Sequence, residues 1–213
     1  MLALRRTPRL AVLAAVVAAG LTLTGCGSLS NPSAAAQVGG ETISVSFLQK
    51  QLEEILDHSA RASDVPGGQV NPSTAELAEN QRALLQQLIN DSLITETADR
   101  LGVTASRADI DKVEDEIRAQ QVFIPGDMRE EFARWVALRR ELNASLLGKT
   151  PASQADQAKA DQLLGEQMRR TSREVGVTVN PRYGRWDGAQ LLPGGQLVEP
   201  SETEQPQLPP AGP

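Results

Sequence analysis

One cysteine, one histidine and six aromatic residues are all that the 213-residue chain contains of those types. A single Cys and a single His exclude an internal disulfide, a His/Cys metal cluster and a Cys–His nucleophile pair. Three Phe, two Trp and one Tyr are too few to stack the bases of a single-stranded nucleic acid. Positive charge is short as well. The 21 basic and 27 acidic residues give a formal charge of −6, which disfavours a nucleic-acid partner. No cofactor or metal is expected, and the chain reads as non-enzymatic. Its length suits one or two domains.

The basic residues that are present begin with Arg5, Arg6 and Arg9, ahead of an apolar run from Leu10 to Leu23. This is the layout of an export signal, and the run falls short of the ~18 apolar residues of a membrane span. Its end, Leu23-Thr24-Gly25-Cys26, resembles the bacterial lipobox. That resemblance implies a signal over 1–25 and a lipid on Cys26, which becomes the mature N-terminus. Removing the three arginines leaves 18 basic against 27 acidic residues, about −9 for the mature chain. The expectation is an acidic domain at the outer face of a membrane, held there by its lipid rather than by its surface. No ATP supply exists in that compartment.

Residues 26–35 are small and polar and read as a tether. Ala36–Val38 and Glu41–Ile43 flank Gly39-Gly40 as two short extended stretches. Ser44 or Ser46 caps a first helix, whose apolar positions are Phe47, Leu48, Leu52, Ile55 and Leu56. Pro66-Gly67-Gly68 and Asn71-Pro72 mark a loop. A second helix runs from about Ser73 to Leu101, roughly 40 Å at 1.5 Å per residue. Its apolar band, from Leu77 through Leu84, Leu85, Leu88, Ile89, Leu93 and Ile94, is too wide for one neighbour. Gly102 stops it.

Ser106, with Asp109 three residues on, starts a third helix with a narrow stripe of Ile110, Val113 and Ile117. A turn at Pro125-Gly126-Asp127 leads to a fourth, carrying Met128, Phe132, Trp135, Leu142 and Leu146 to a stop at Gly148. Thr150-Pro151 is expected to start a fifth, as N-cap and first helical residue. The alternation of Val175, Val177 and Val179 then predicts a strand. A strand leaves backbone groups that need a partner, and the stretches near Ala36–Ile43 are the available ones. Residues 188–213 are rich in Pro, Gly, Glu and Gln and read as a disordered tail.

Gln37-Val38-Gly39-Gly40-Glu41-Thr42-Ile43-Ser44 resembles the V-N-G-x-x-I-[ST] opening of the SurA/PrsA group of extracytoplasmic folding factors. Leu85 to Ile94 is similar to its L-x-x-L-I-x-x-x-L-[IL] stretch. Ala98-Asp99-Arg100-Leu101-Gly102-Val103, followed by Ser106 and Ile110, resembles the segment after it. Val177-Thr178-Val179-Asn180-Pro181-Arg182-Tyr183-Gly184 is similar to the extended segment that closes the domain in lipoproteins of the group. The resemblance covers most of residues 36–187. It implies a mainly α chaperone domain of about five helices, with a small sheet pairing the first and last extended segments. Many members carry a parvulin-type prolyl isomerase domain, but Gly148–Arg173 here reads as one Ala/Gln-rich helix. Isomerase activity is therefore not expected.

Other chemistry-bearing patterns have plainer readings. Gly148-Lys149-Thr150 ends like a phosphate-binding loop, yet Asn143 stands where that loop needs Gly. His58 has no nucleophile signature beside it. Glu114-Asp115-Glu116 and Arg129-Glu130-Glu131 lack a calcium loop's spacing and read as solvated helix faces. Tyr183 and Trp186 have two readings: a cover over the helix core, or part of a peptide-contacting surface. The function that follows is an ATP-independent, membrane-anchored chaperone-like lipoprotein for unfolded exported polypeptides. The alternative is a non-catalytic assembly subunit for one dedicated cell-envelope partner.

Overall fold

The computed structural model describes residues 32–62 and 72–194. The expected export signal, Cys26, most of the expected tether and the end of the expected tail lie outside those residues. Strands β1 (Ala34–Val38) and β2 (Glu41–Ser44) form a hairpin around Gly39-Gly40. Gly39 takes φ 55°, the left-handed value such a two-residue turn requires at its first central position. Helices α1 (Val45–Ala62) and α2 (Thr74–Leu101) follow, then α3 (Arg107–Ala119), a 3₁₀ turn at Gly126–Met128, and α4 (Arg129–Leu147). Helix α5 (Gln154–Val175) leads to β3 (Val177–Val179) and a small hairpin of β4 (Arg185–Trp186) and β5 (Leu191–Leu192). The chain is thus mainly α with a small antiparallel sheet.

The two ends of the described fold meet in that sheet, whose order is β2-β1-β3. Ala36 lies opposite Val179, and Val38 opposite Val177. Asn180 extends the clasp, its backbone N–H donating to Ala35 at 2.9 Å and its side-chain amide to Ala34 at 3.2 Å. Ala34, Ala35 and Ala36 are all buried. The β1–β2 pairing is irregular between Ala34 and Ala36, which breaks the simple alternation there, and alanine is small enough to be buried at all three positions.

Helix α2 is the spine. Leu85, Leu88, Ile89 and Leu93 pack with the sheet and with Leu48 of α1, while Ile94 and Ala98 pack with Leu138, Leu142 and Leu164. This division explains the wide apolar band. Ala133 and Ala137 give α4 a shallow face against Val113 of α3. Between α2 and α5 the buried Thr97 hydroxyl donates to Thr171 Oγ1 at 3.0 Å.

Helix ends follow local chemistry. Ser73 and Glu76, and Ser106 and Asp109, form reciprocal capping boxes, and Gly102 and Gly148 close α2 and α4 with left-handed φ values. Four expectations need correction. Strand β1 begins at Ala34, so buried Ala34 and Ala35 belong to the sheet and not to a tether over 26–35. Helix α5 starts at Gln154 rather than at Thr150-Pro151. Ser153 Oγ accepts the Asp156 N–H at 3.1 Å, and Asp156 in turn accepts the Ala152 N–H at 3.2 Å, so the cap sits three residues later. Val175 is the last residue of α5, not part of the strand; Gly176, at φ 75°, turns the chain and β3 begins after it. Leu191 and Leu192 form β5 inside the 188–213 span, so the fold runs further into that span than its composition implies.

Candidate functional site

A groove of about 420 Å³ opens between β2, α2 and the start of α4. Residues 41–44, the whole of β2, form one wall. Leu88, Asp91, Ser92 and Thr95 of α2 lie between the walls, and Met128, Glu131, Phe132 and Trp135 stand on the far side. Phe47 closes the α1 end, where its N–H donates to Ser44 Oγ at 3.1 Å, making Ser44 the residue that caps α1. The apolar character comes from Ile43, Phe47, Leu88, Met128, Phe132 and Trp135. Phe132 and Trp135, one turn apart on α4, have ring centroids 5.6 Å apart.

The charged lining is mostly acidic: Glu41, Asp91, Asp127 and Glu131 against Arg134. Asp127 is neutralised by Lys50 of α1. Glu41, Asp91 and Glu131 form no ion pair among the described residues. Burial pushes the Asp91 carboxyl up to about 7, against a hydrogen bond from Gln87 that favours the charged form; the nearby Glu41 adds to the rise. Gln87 Nε2 donates to Asp91 Oδ1 at 2.7 Å. Such a lining accepts apolar side chains and favours basic ones beside them.

The two aromatics singled out in the sequence occupy different places. Tyr183 is buried in the main core with only 5% exposed, beneath the Arg182 guanidinium 5.0 Å from its ring centre. It covers the core and presents no contact surface. Trp186 is half-buried and donates from Nε1 to Ser172 Oγ at 2.8 Å. It lines a second cleft, of about 260 Å³, with Leu164, Met168, Arg139 and Trp135. Trp135 therefore stands between the two cavities. Cys26 lies outside the described residues.

The plainer readings also have places. Gly148 ends α4, and Lys149 pairs with Asp156 at 2.7 Å. The His58 ring stacks on Phe123 at 3.8 Å, on the exposed side of α1. Glu116 takes a two-pronged bond from Arg140, at 2.6 and 3.2 Å, and Asp115 pairs with Arg118. Among the described residues no cluster of His, Cys, Asp or Glu suits a metal ion.

Sequence reasoning missed Asp91, Trp135 and the β2 edge as parts of one site. A signal existed for Asp91: a carboxylate three residues after Leu88, inside the apolar band of α2. Nothing local places β2 across from α4.

A mainly helical body clasped by a small sheet joining its ends matches the expectation drawn from the sequence; the lined groove beside that sheet was not part of it. A family model described as a SurA-like N-terminal domain matches residues 1–145 of the chain. No curated protein and no solved structure gives a match. The family match spans the hairpin, α1 to α3 and nearly all of α4, which together build every wall of the groove, and by it the chain belongs to the family of SurA-like N-terminal domains.

Proposed function

We propose that the protein is a chaperone-like lipoprotein, anchored outside the cytoplasm by a lipid on Cys26, which holds unfolded exported polypeptides without ATP and without catalysing a reaction. The observation that carries this reading is the open groove with an apolar lining in a SurA-like domain. Its apolar side chains offer weak contacts to many sequences, and the acidic rim keeps a loaded complex soluble. The Pro-rich, acidic residues 195–213 add to that solubility.

The test uses residues 27–213 with an unfolded client that aggregates. The domain is expected to slow light scattering at a several-fold molar excess with no nucleotide added. Replacing Phe132 and Trp135 by Ser should remove most of that protection while circular dichroism stays unchanged. Unaltered aggregation at that excess would overturn the reading. Anchorage is checked separately: a clickable fatty acid should label the full chain in cells and fail to label Cys26→Ser. Cross-linking in cells distinguishes the holdase from a dedicated assembly subunit, which would yield one stoichiometric envelope partner instead of many exported chains.

A further inference from the structure

We infer that the groove takes its client by strand addition, an extended segment of alternating basic and aliphatic residues pairing its backbone with the free edge of β2 (Glu41–Ser44). This rests on the holding function proposed above and specifies what is held.

Among the described residues the sheet order leaves β2 with a partner on one side only, since β1 lies between β2 and β3. All of Glu41, Thr42, Ile43 and Ser44 line the groove. Side chains along a strand point alternately to opposite faces, so one face supplies every second residue. Four consecutive residues on one cavity means that the strand turns its edge to it. That edge carries backbone donors and acceptors unused by the β1 pairing. Four residues at about 3.4 Å each give an edge of roughly 14 Å, enough to pair a segment of about four residues.

The opposite wall supplies what an added strand needs next. Phe132, Trp135 and Met128 face the edge from α4 and the turn before it, and Leu88 lies between. An incoming strand would place alternate side chains toward Leu88 and α2 and the others toward solvent. Main-chain hydrogen bonds are the same for every sequence, which suits a protein with many clients, while the lining selects side chains.

Charge decides the class of client. Among the described residues Glu41, Asp91 and Glu131 form no ion pair at the groove, and Arg134 is the one basic residue in the described lining. A lysine or arginine beside the apolar contact finds acceptors there, whereas an acidic segment is repelled. The same argument excludes the protein's own C-terminal residues 195–213, which contain Glu199, Glu202 and Glu204 and no basic residue.

An eight-residue fluorescent peptide alternating Lys and Val tests the assignment by anisotropy against the mature chain. Methylating single backbone nitrogens removes donors one at a time without changing side-chain composition. Methylation of every second amide is expected to weaken binding about tenfold or more, and methylation of the intervening amides to change it less than about threefold. A flat or irregular profile would overturn strand addition. A peptide alternating Glu and Val should bind at least about tenfold more weakly, and equal binding would overturn the choice of client. Glu41→Lys and Glu131→Lys, both at exposed positions, should each weaken the Lys peptide several-fold in low salt. An alternating profile without protection of an aggregating client would sink the holding function and keep strand addition. Protection with a flat profile would do the reverse.

Discussion

Asp91 is the residue whose environment departs most from what its chemistry prefers. Its carboxyl lies largely withdrawn from water between Leu88 and Thr95 on α2, with Glu41 near and Gln87 as its hydrogen-bond donor. Glu41 on β2, and Asp127, Glu131 and Arg134 on the α4 side, are the charged groups facing it across the groove. Its ordinary value is 3.8 and its folded value about 7. Between about pH 4 and 7 the folded chain therefore keeps a proton that the unfolded chain has released, and stability falls as pH rises through that window. Asp91→Asn should abolish this decline. The variant is expected to match the parent near pH 3 and to exceed it at pH 8 by on the order of 2 kcal/mol, allowing for the carboxyl's partial exposure. Urea unfolding of both chains from pH 3 to 8 measures it, and parallel curves would refute the account. Gln51 presents a related strain. Its side-chain amide is fully buried on α1 with neither Nε2 nor Oε1 partnered among the described residues. Gln51→Leu removes two unsatisfied groups at similar volume and should raise stability by about 1 kcal/mol, or roughly 3 °C. Asp91 left a signal in its place inside the apolar band of α2, whereas Gln51 looks like a solvated position in the sequence, and only the packing of neighbouring elements shows it to be buried.

At the scale of elements, the legible parts were those whose cause is local. Ser73 with Glu76, Ser106 with Asp109, and the glycines at 102 and 148 each mark a helix end through contacts within a few residues. The start of α5 was misplaced because Thr150-Pro151 and Ser153 are both acceptable caps. Asp156, bonded to Lys149, Ala152 and Ser153, decides between them. The β4–β5 hairpin was illegible for another reason. It exists because Gly184, at φ 140°, lets the backbone of Leu192 come against it, and because Gln86 Oε1 accepts the Leu191 N–H from across the fold. A Cβ on residue 184 would collide with the Leu192 carbonyl oxygen and hold a φ that L-residues avoid. Gly184→Ala should release the hairpin, expose Leu191 and lower stability by about 2 kcal/mol. Hydrogen exchange would show lost protection at Arg185–Leu192, with α1 to α4 unchanged. Retained protection at Leu191 would mean that the hairpin tolerates the side chain.

For the whole molecule, the question is where the folding unit ends. The family match stops at residue 145, after the last wall of the groove. The meeting of the chain ends was legible because Val177 and Val179 needed a partner and only the segment after the tether offered one. That β2 stands across from α4 was not, because it depends on how three distant segments pack on α2. Physical closure comes later than the match. Without residues 146–194, β1 keeps β2 but loses β3, and Ala36 and Val38 lose the cover of Val177 and Val179. Ile94, Ala98 and Leu142 lose Leu164 of α5, and Thr97 loses Thr171, the acceptor of its hydroxyl. Tyr183 and Leu191 also leave the main core. Deletion of so much buried apolar surface, at about 25 cal/mol per Å², exceeds the margin by which a small domain is stable. A chain of residues 27–145 is therefore expected to keep helical circular dichroism but melt without a sharp transition and bind a hydrophobic dye. Residues 27–194 should melt cooperatively and bind the Lys-Val peptide as tightly as residues 27–213. A sharp two-state melt of the shorter chain would show that β3 and α5 are appendages, and that the groove stands on the β1–β2 hairpin and α1 to α4 alone.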